Sequence, residues 1–287
     1  MDINSFTNKE QVFEDSIELM MPNAECPGNT YYIQNLLKMS VFSTNTLAKI
    51  KQVGYKLYQT HKGSRSIGVK RLLSTLQEPF DAFAIATRCV ANPNSKYFGR
   101  TVEDVVAEWS NKGAKTGLRG MGLDNYVAHV YEHAEFDLNQ CSEDLLGMCK
   151  QFDVFKESVL DITGLELVGR ELWVQDTNNI KGRMDALFAL SNDLIIFDWK
   201  TFEKMETSNS YGKKLLGPAS HLDDCNANLA TFQIYLYKYF LKKYYNIEVK
   251  SCRIGWFRPT FFKIVKPNFE YDEKLIEEVI EYSLSKT

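Results

Sequence analysis

Asp185, Asp198 and Lys200 are the residues of this chain whose types and spacing could do chemistry. Asp185 lies in the run Gly182-Arg183-Met184-Asp185-Ala186, which a polar turn, Ser191-Asn192-Asp193, separates from Asp198-Trp199-Lys200-Thr201. In an extended chain the side chains alternate, so Asp198 and Lys200 project from one face of their strand. A hairpin at the polar turn would bring Asp185 beside them. Acids placed straight after Leu194-Ile195-Ile196-Phe197, an apolar run suited to a strand buried on both faces, are costly unless paired or metal-bound. Two such carboxylates suit a hard divalent cation, Mg²⁺ with Mn²⁺ as its substitute. The lysine is a compact charge that could steady a hydroxide or the charge gathering on a phosphorus.

The elements that must position these groups follow from periodicity and breakers. Residues 9–62 read as helical pieces broken at Pro22, Pro27-Gly28 and Gly54, and His61 to Gly68 is a small-residue basic loop. Val69 to Gln77 reads as a helix, and another restarts at Pro79, with proline in its first turn. Thr101-Val-Glu-Asp104 resembles a capping box opening a helix to Trp109. Glycines 113, 117, 120 and 122 are expected to loosen the next segment, before a helix from about Asp124 to Glu135. From Leu165 the pattern becomes strand-like, with an Asp176-Thr-Asn-Asn179 turn ahead of the hairpin. Leu229 to Tyr245 reads as a helix, Lys250 to Phe257 and Phe261 to Val265 as strands, and a final helix runs from about Tyr271. The expected plan is α/β (α+β): residues 1–150 mostly helical, residues 151–287 a β-rich core with a central helix.

The chain has 287 residues and an apolar fraction of 44%, enough for a sizeable core. No apolar run approaches the roughly 20 residues of a membrane span. The N-terminus lacks the basic and apolar regions of a signal peptide, so a soluble, intracellular protein without membrane contact is expected. The six cysteines form no Cys-x-x-Cys pair and read as reduced, buried thiols. The net charge of −3 is segregated. Between Glu25 and Glu78 there is no acid, and Lys38, Lys49, Lys51, Lys56, Lys62, Arg65, Lys70 and Arg71 stand among Tyr31, Tyr32, Phe42, Tyr55 and Tyr58. Cations for phosphates with aromatic faces for bases suit a nucleic-acid path, with Lys62, Arg65, Lys70 and Arg71 as its candidate contacts. Phosphate-loop, His-Glu-x-x-His and Gly-x-Ser-x-Gly motifs are absent, which argues against ATP-driven, zincin and serine-hydrolase chemistry.

Gly182-Arg-Met-Asp185, then Asp198-Trp-Lys200, then Gln233-Ile-Tyr-Leu-Tyr237 on a helix resemble the PD-(D/E)XK nuclease superfamily, above all its RecB-like exonuclease branch of viral, phage and mitochondrial genome maintenance enzymes. Glu171 sits on the preceding strand, as acids often do in that branch. The resemblance spans about residues 165–260. It implies a restriction-endonuclease-like core, a mixed central sheet flanked by helices. It implies Asp185 and Asp198 as metal ligands, Lys200 as the catalytic cation, and Gln233 and Tyr237 lining the site or touching the DNA backbone. An upstream helix supplies a further ligand in the family, and within Gly122 to His133 the candidates are His129 and Glu132, at i and i+3. The function so implied is Mg²⁺-dependent hydrolysis of DNA at ends or single strands, in replication, recombination or repair, with a protein of such an assembly as a further partner. A structure-specific endonuclease and a non-catalytic binding module on the same fold are the alternatives, and the oligomeric state is open.

Overall fold

The computed structural model describes residues 39–287. The expectations for the first 38 residues, including the breaks at Pro22 and Pro27-Gly28, Lys38, Tyr31, Tyr32 and Cys26, lie outside the described residues. The fold is a mixed α/β plan in which a six-stranded sheet is flanked by helices and preceded by a helical region. Five helices come first: α1 (Val41–Thr60), α2 (Val69–Ser74), α3 (Ala82–Ala91), α4 (Val102–Glu132) and α5 (Glu143–Phe155). The two-residue strand β1 (Ile67–Gly68) lies between α1 and α2. Then come β2 (Glu166–Gln175), β3 (Ile180–Leu190), β4 (Asp193–Lys200), helix α6 (Asn226–Tyr245), β5 (Ser251–Arg258), β6 (Phe261–Val265) and α7 (Glu273–Leu284).

The hairpin forms where the sequence places it. β3 and β4 pair antiparallel from Leu190↔Asp193 to Ala186↔Phe197, and Ser191 adopts the left-handed conformation that closes the turn. β2 pairs antiparallel with β3, β1 runs parallel to its start, β5 runs parallel to β4, and β6 pairs antiparallel with β5. The crossover from β4 to the parallel β5 is helix α6, as a parallel pair requires.

Two cores lie on opposite faces of this sheet, and β4 shows why. Leu194 and Ile196 pack with α1, α2, α6 and α7, whereas Ile195, Phe197 and Trp199 pack with α4 and α5. Trp199 is held by edge and tilted contacts to Phe152, Phe155, Phe197 and Phe257, with ring centroids 5.5–5.9 Å apart. Gly255 is its rung partner on β5, and a Cβ there would stand 2.6 Å from the indole. Anchoring Trp199 on the α4/α5 face forces Asp198 and Lys200 to the other, toward α6. Helix α6 is buried nearly all round, which suits a helix in the heart of the protein.

The helices depart from expectation in four places. Gly54 does not break α1, which runs unbroken for 20 residues. Asp81, not Pro79, starts α3, its carboxylate accepting from the Ala84 amide. Thr101 caps α4 as expected, but the helix passes through all four glycines as one rod of 31 residues. Packing along its length overrides their low propensity: a Cβ at Gly122 would meet Leu145 of α5 at 2.5 Å. Helix α5 has no counterpart in the sequence reading. Among the described residues no helix is long and apolar enough to cross a membrane.

Candidate active site

The site forms where β3 and β4 part. Their ladder ends at Ala186↔Phe197, so Asp185 and Asp198 are the next rung. Instead of a main-chain bond, the Asp185 Oδ2 accepts from the Trp199 amide at 2.7 Å. This replaces a ladder bond with a side chain and fixes the carboxylate beside the opening. Glu171 stands between the rungs Arg170↔Ala186 and Leu172↔Met184, opposite Asp185 on its other side. Its φ of 52° is left-handed, a conformation that costs a non-glycine residue roughly 1–3 kcal/mol and collects at functional sites. The Glu171 carboxylate is ion-paired with Arg183. Three acids, Glu171, Asp185 and Asp198, thus follow one another across three strands.

Helix α6 locks the lysine. Gln233 Nε2 donates to Asp198 Oδ1 at 3.1 Å and to the Tyr237 hydroxyl at 3.2 Å, and its Oε1 accepts from Lys200 Nζ at 3.3 Å. Lys200 Nζ also forms an ion pair with Asp198 Oδ2. Asp198 is fully buried, and the Lys200 ammonium beside its Oδ2 compensates its charge. Burial of Lys200 disfavours its charge, yet Asp198 and Asp185 outweigh that and hold its pKa above the ordinary value. The lysine is therefore an ammonium at neutral pH. Burial, and then the charge of Asp198, push the Asp185 carboxyl well above the usual range.

Gln233 and Tyr237, expected to line the site or touch a DNA backbone, are buried against the Asp198–Lys200 pair. Spaced one turn apart, they face inward and position the Asp198–Lys200 pair. Burial pushes the Tyr237 phenol up, with Asp198 adding to it. Gly182 makes room for this ring: a Cβ there would stand 2.5 Å from Tyr237 Cε1 and 2.9 Å from Val69 Cγ2.

Helix α4 brings Asp124 within electrostatic reach of the site, while the expected His129 and Glu132 are engaged elsewhere. His129 Nδ1 bonds the Ala134 carbonyl at 2.8 Å, finishing the helix. Glu132 pairs with Arg170 at 2.7 Å. Asp124 is the α4 residue that feels the site: burial and then Glu171 raise its carboxyl to about 6, with Lys200 and Arg183 pulling down and Asp198 pushing up. The reason is helical phase. His129 lies about 140° round the axis from Asp124, and Glu132 about 12 Å along it. Gly120, one turn before Asp124, faces the chain after β4, where its Cβ would be 3.8 Å from Thr201 Oγ1. The stripe Gly120-x-x-x-Asp124 is the signal in the sequence that could have found it.

Lys62, Arg65, Lys70 and Arg71 are exposed, the first two on the loop before β1 and the others on α2. The rungs Ile67↔Ile180 and Gly68↔Lys181 dock them at the start of β3, about 14 Å of strand from Asp185. They flank the site without entering it.

Among the described residues no three His, Cys, Asp or Glu groups converge closely enough to cage a metal ion. The donors present still fit Mg²⁺, which takes one or two carboxylates and keeps water or substrate oxygens for the rest. Asp185 and Asp198 offer such a pair, and their carboxylates lie on adjacent strands where β3 and β4 part.

No family model matches the sequence, and no curated protein matches it. Among solved structures the chain is similar to the crystal structure of SSO0001, with a TM-score of 0.31 and 14% identity over 83% of this chain and 84% of that one. That likeness carries no argument about function.

Proposed function

We propose that the protein is a divalent-metal-dependent nuclease that hydrolyses phosphodiester bonds of DNA, acting from its ends. The observation that carries this reading is the Asp185–Asp198 rung at the parting of two strands, with the Lys200 ammonium held against it by Gln233. Asp185 and Asp198 would hold Mg²⁺, with Asp124 at the rim. When bound, Mg²⁺ supplies Lewis-acid polarisation of the phosphoryl group. In the reaction a water oxygen bonds to phosphorus, the bridging ester P–O bond breaks, and the departing oxygen takes up a proton. Lys200 contributes a fixed positive charge, pre-positioned for the negative charge that gathers on the phosphoryl oxygens. Gln233 keeps that charge aimed without neutralising it. The cations at 62, 65, 70 and 71 would guide a strand toward β3, and a partner protein of a replication or recombination assembly would deliver the end.

The test is a magnesium-dependent digestion of end-labelled linear single strand, linear duplex and covalently closed circles, with Lys200→Ala beside wild type. The reading expects loss of linear substrates only, with the variant slower by at least two orders of magnitude. Cutting of closed circles would move the protein to the endonucleases. Tight binding without cleavage under Mg²⁺ or Mn²⁺ would remove catalysis altogether.

A further inference from the structure

We propose that Trp173, flanked by Lys181 and Arg183, is a stacking platform for a base of single-stranded nucleic acid beside the candidate cleavage site. The proposal deepens the nuclease reading and rests on it for its purpose. Of the four tryptophans, Trp173 is the exposed one, with 58% of its surface open. Its indole presents a large flat ring face with a polarisable π-system to solvent. Two cations attend its ring: Lys181 Nζ lies 5.8 Å and the Arg183 guanidinium 5.9 Å from its centre. Arg183 is the direct rung partner of Trp173, and Asp185 follows two residues later, about 7 Å along β3. The charge of Arg183 reaches Asp124 and is paired with Glu171, which places the platform on the site's rim. On the other side, Lys181 is the rung partner of Gly68, behind the loop that carries Lys62 and Arg65. An aromatic face bordered by cations complements a polyanion with free bases rather than an apolar protein surface. Bases inside a duplex have no free face to offer, so the platform selects single strands.

The experiment measures binding of a short fluorescein-labelled oligo(dT), and of a blunt hairpin duplex, by anisotropy in EDTA. Trp173→Ala should weaken oligo(dT) binding about tenfold or more, since one stacked base contributes about that much. Trp173→Phe should retain most of the affinity, and duplex binding should not change in either. Oligo(dT) should also quench the fluorescence of wild type but not of Trp173→Phe. Affinity of Trp173→Ala within about twofold of wild type, equal loss on the duplex, or no binding of oligo(dT) by wild type would each overturn the platform. The two readings fail separately. Trp173-dependent binding in a protein that cleaves nothing leaves the platform without a nuclease. Cleavage abolished by Lys200→Ala, with binding indifferent to Trp173, leaves the nuclease without this platform.

Discussion

Asp124 offers the sharpest test of the electrostatics of this site, because it carries a cost that a single atom exchange removes. Its carboxyl is raised from an ordinary 3.8 to about 6, first by burial and then by Glu171. A raised acid is protonated more readily in the folded than in the unfolded chain. Its effect on stability is therefore absent below about pH 4, where both states hold the proton, grows as pH rises to about 6, and is a full penalty above that. Two pH units correspond to roughly 3 kcal/mol. Asp124 is partly open to solvent, which reduces the figure to about 1–2 kcal/mol. Asp124→Asn should thus match wild type in urea unfolding near pH 4, with EDTA present, and exceed it by about 1–2 kcal/mol near pH 7.5. Asp185 adds to the gain, because Asp124 is one of the charges that raise it. The same variant should lose nuclease activity, the usual exchange of stability for function at a site of crowded like charges. A variant equally stable at both pH values, or weaker at the higher one, would refute the assignment of Asp124 to the carboxylate cluster.

Glu132→Gln and His129→Gln should keep activity within about threefold of wild type in the digestion assay, since their partners are Arg170 and the Ala134 carbonyl, and each should cost about 1 kcal/mol or less. Gly182→Ala should destabilise by about 1–3 kcal/mol in thermal unfolding, because its Cβ must displace the Tyr237 ring. Combining it with Tyr237→Leu should recover part of that loss, and strictly additive effects would show that the two residues do not touch. Gln233→Leu should lower kcat by about tenfold or more, with little change in KM, as it frees Lys200 and leaves the buried Asp198 Oδ1 without its donor. Unchanged turnover would mean that Gln233 only fills space.

The hairpin, its turn and the parity of Asp198 and Lys200 were legible in the sequence because strand alternation and turn chemistry are local rules. So was the identity of α6, and so were the Thr101 cap and the strands β5 and β6. The extent of α4 was not. Glycine propensity argued for a break, and only contact with Leu145 and the chain near Thr201 makes the long helix continuous. The roles of Gln233 and Tyr237 were half legible: their spacing puts them on one face, but nothing local says that this face is turned inward.

The sequence by itself determined which groups could do chemistry and that three of them would meet, since Asp185, Asp198 and Lys200 are joined by one short turn. Only the tertiary structure decided which distant residues approach this candidate site. It set Asp124, rather than His129 or Glu132, within electrostatic reach of Asp198 and Lys200, opposed Glu171 to Asp185 through a strained backbone, and left Trp173 exposed. Those outcomes depend on the phase at which a long helix lies against a sheet and on the register between strands. Both are set by packing summed over many residues, and no single stretch of sequence carries that sum.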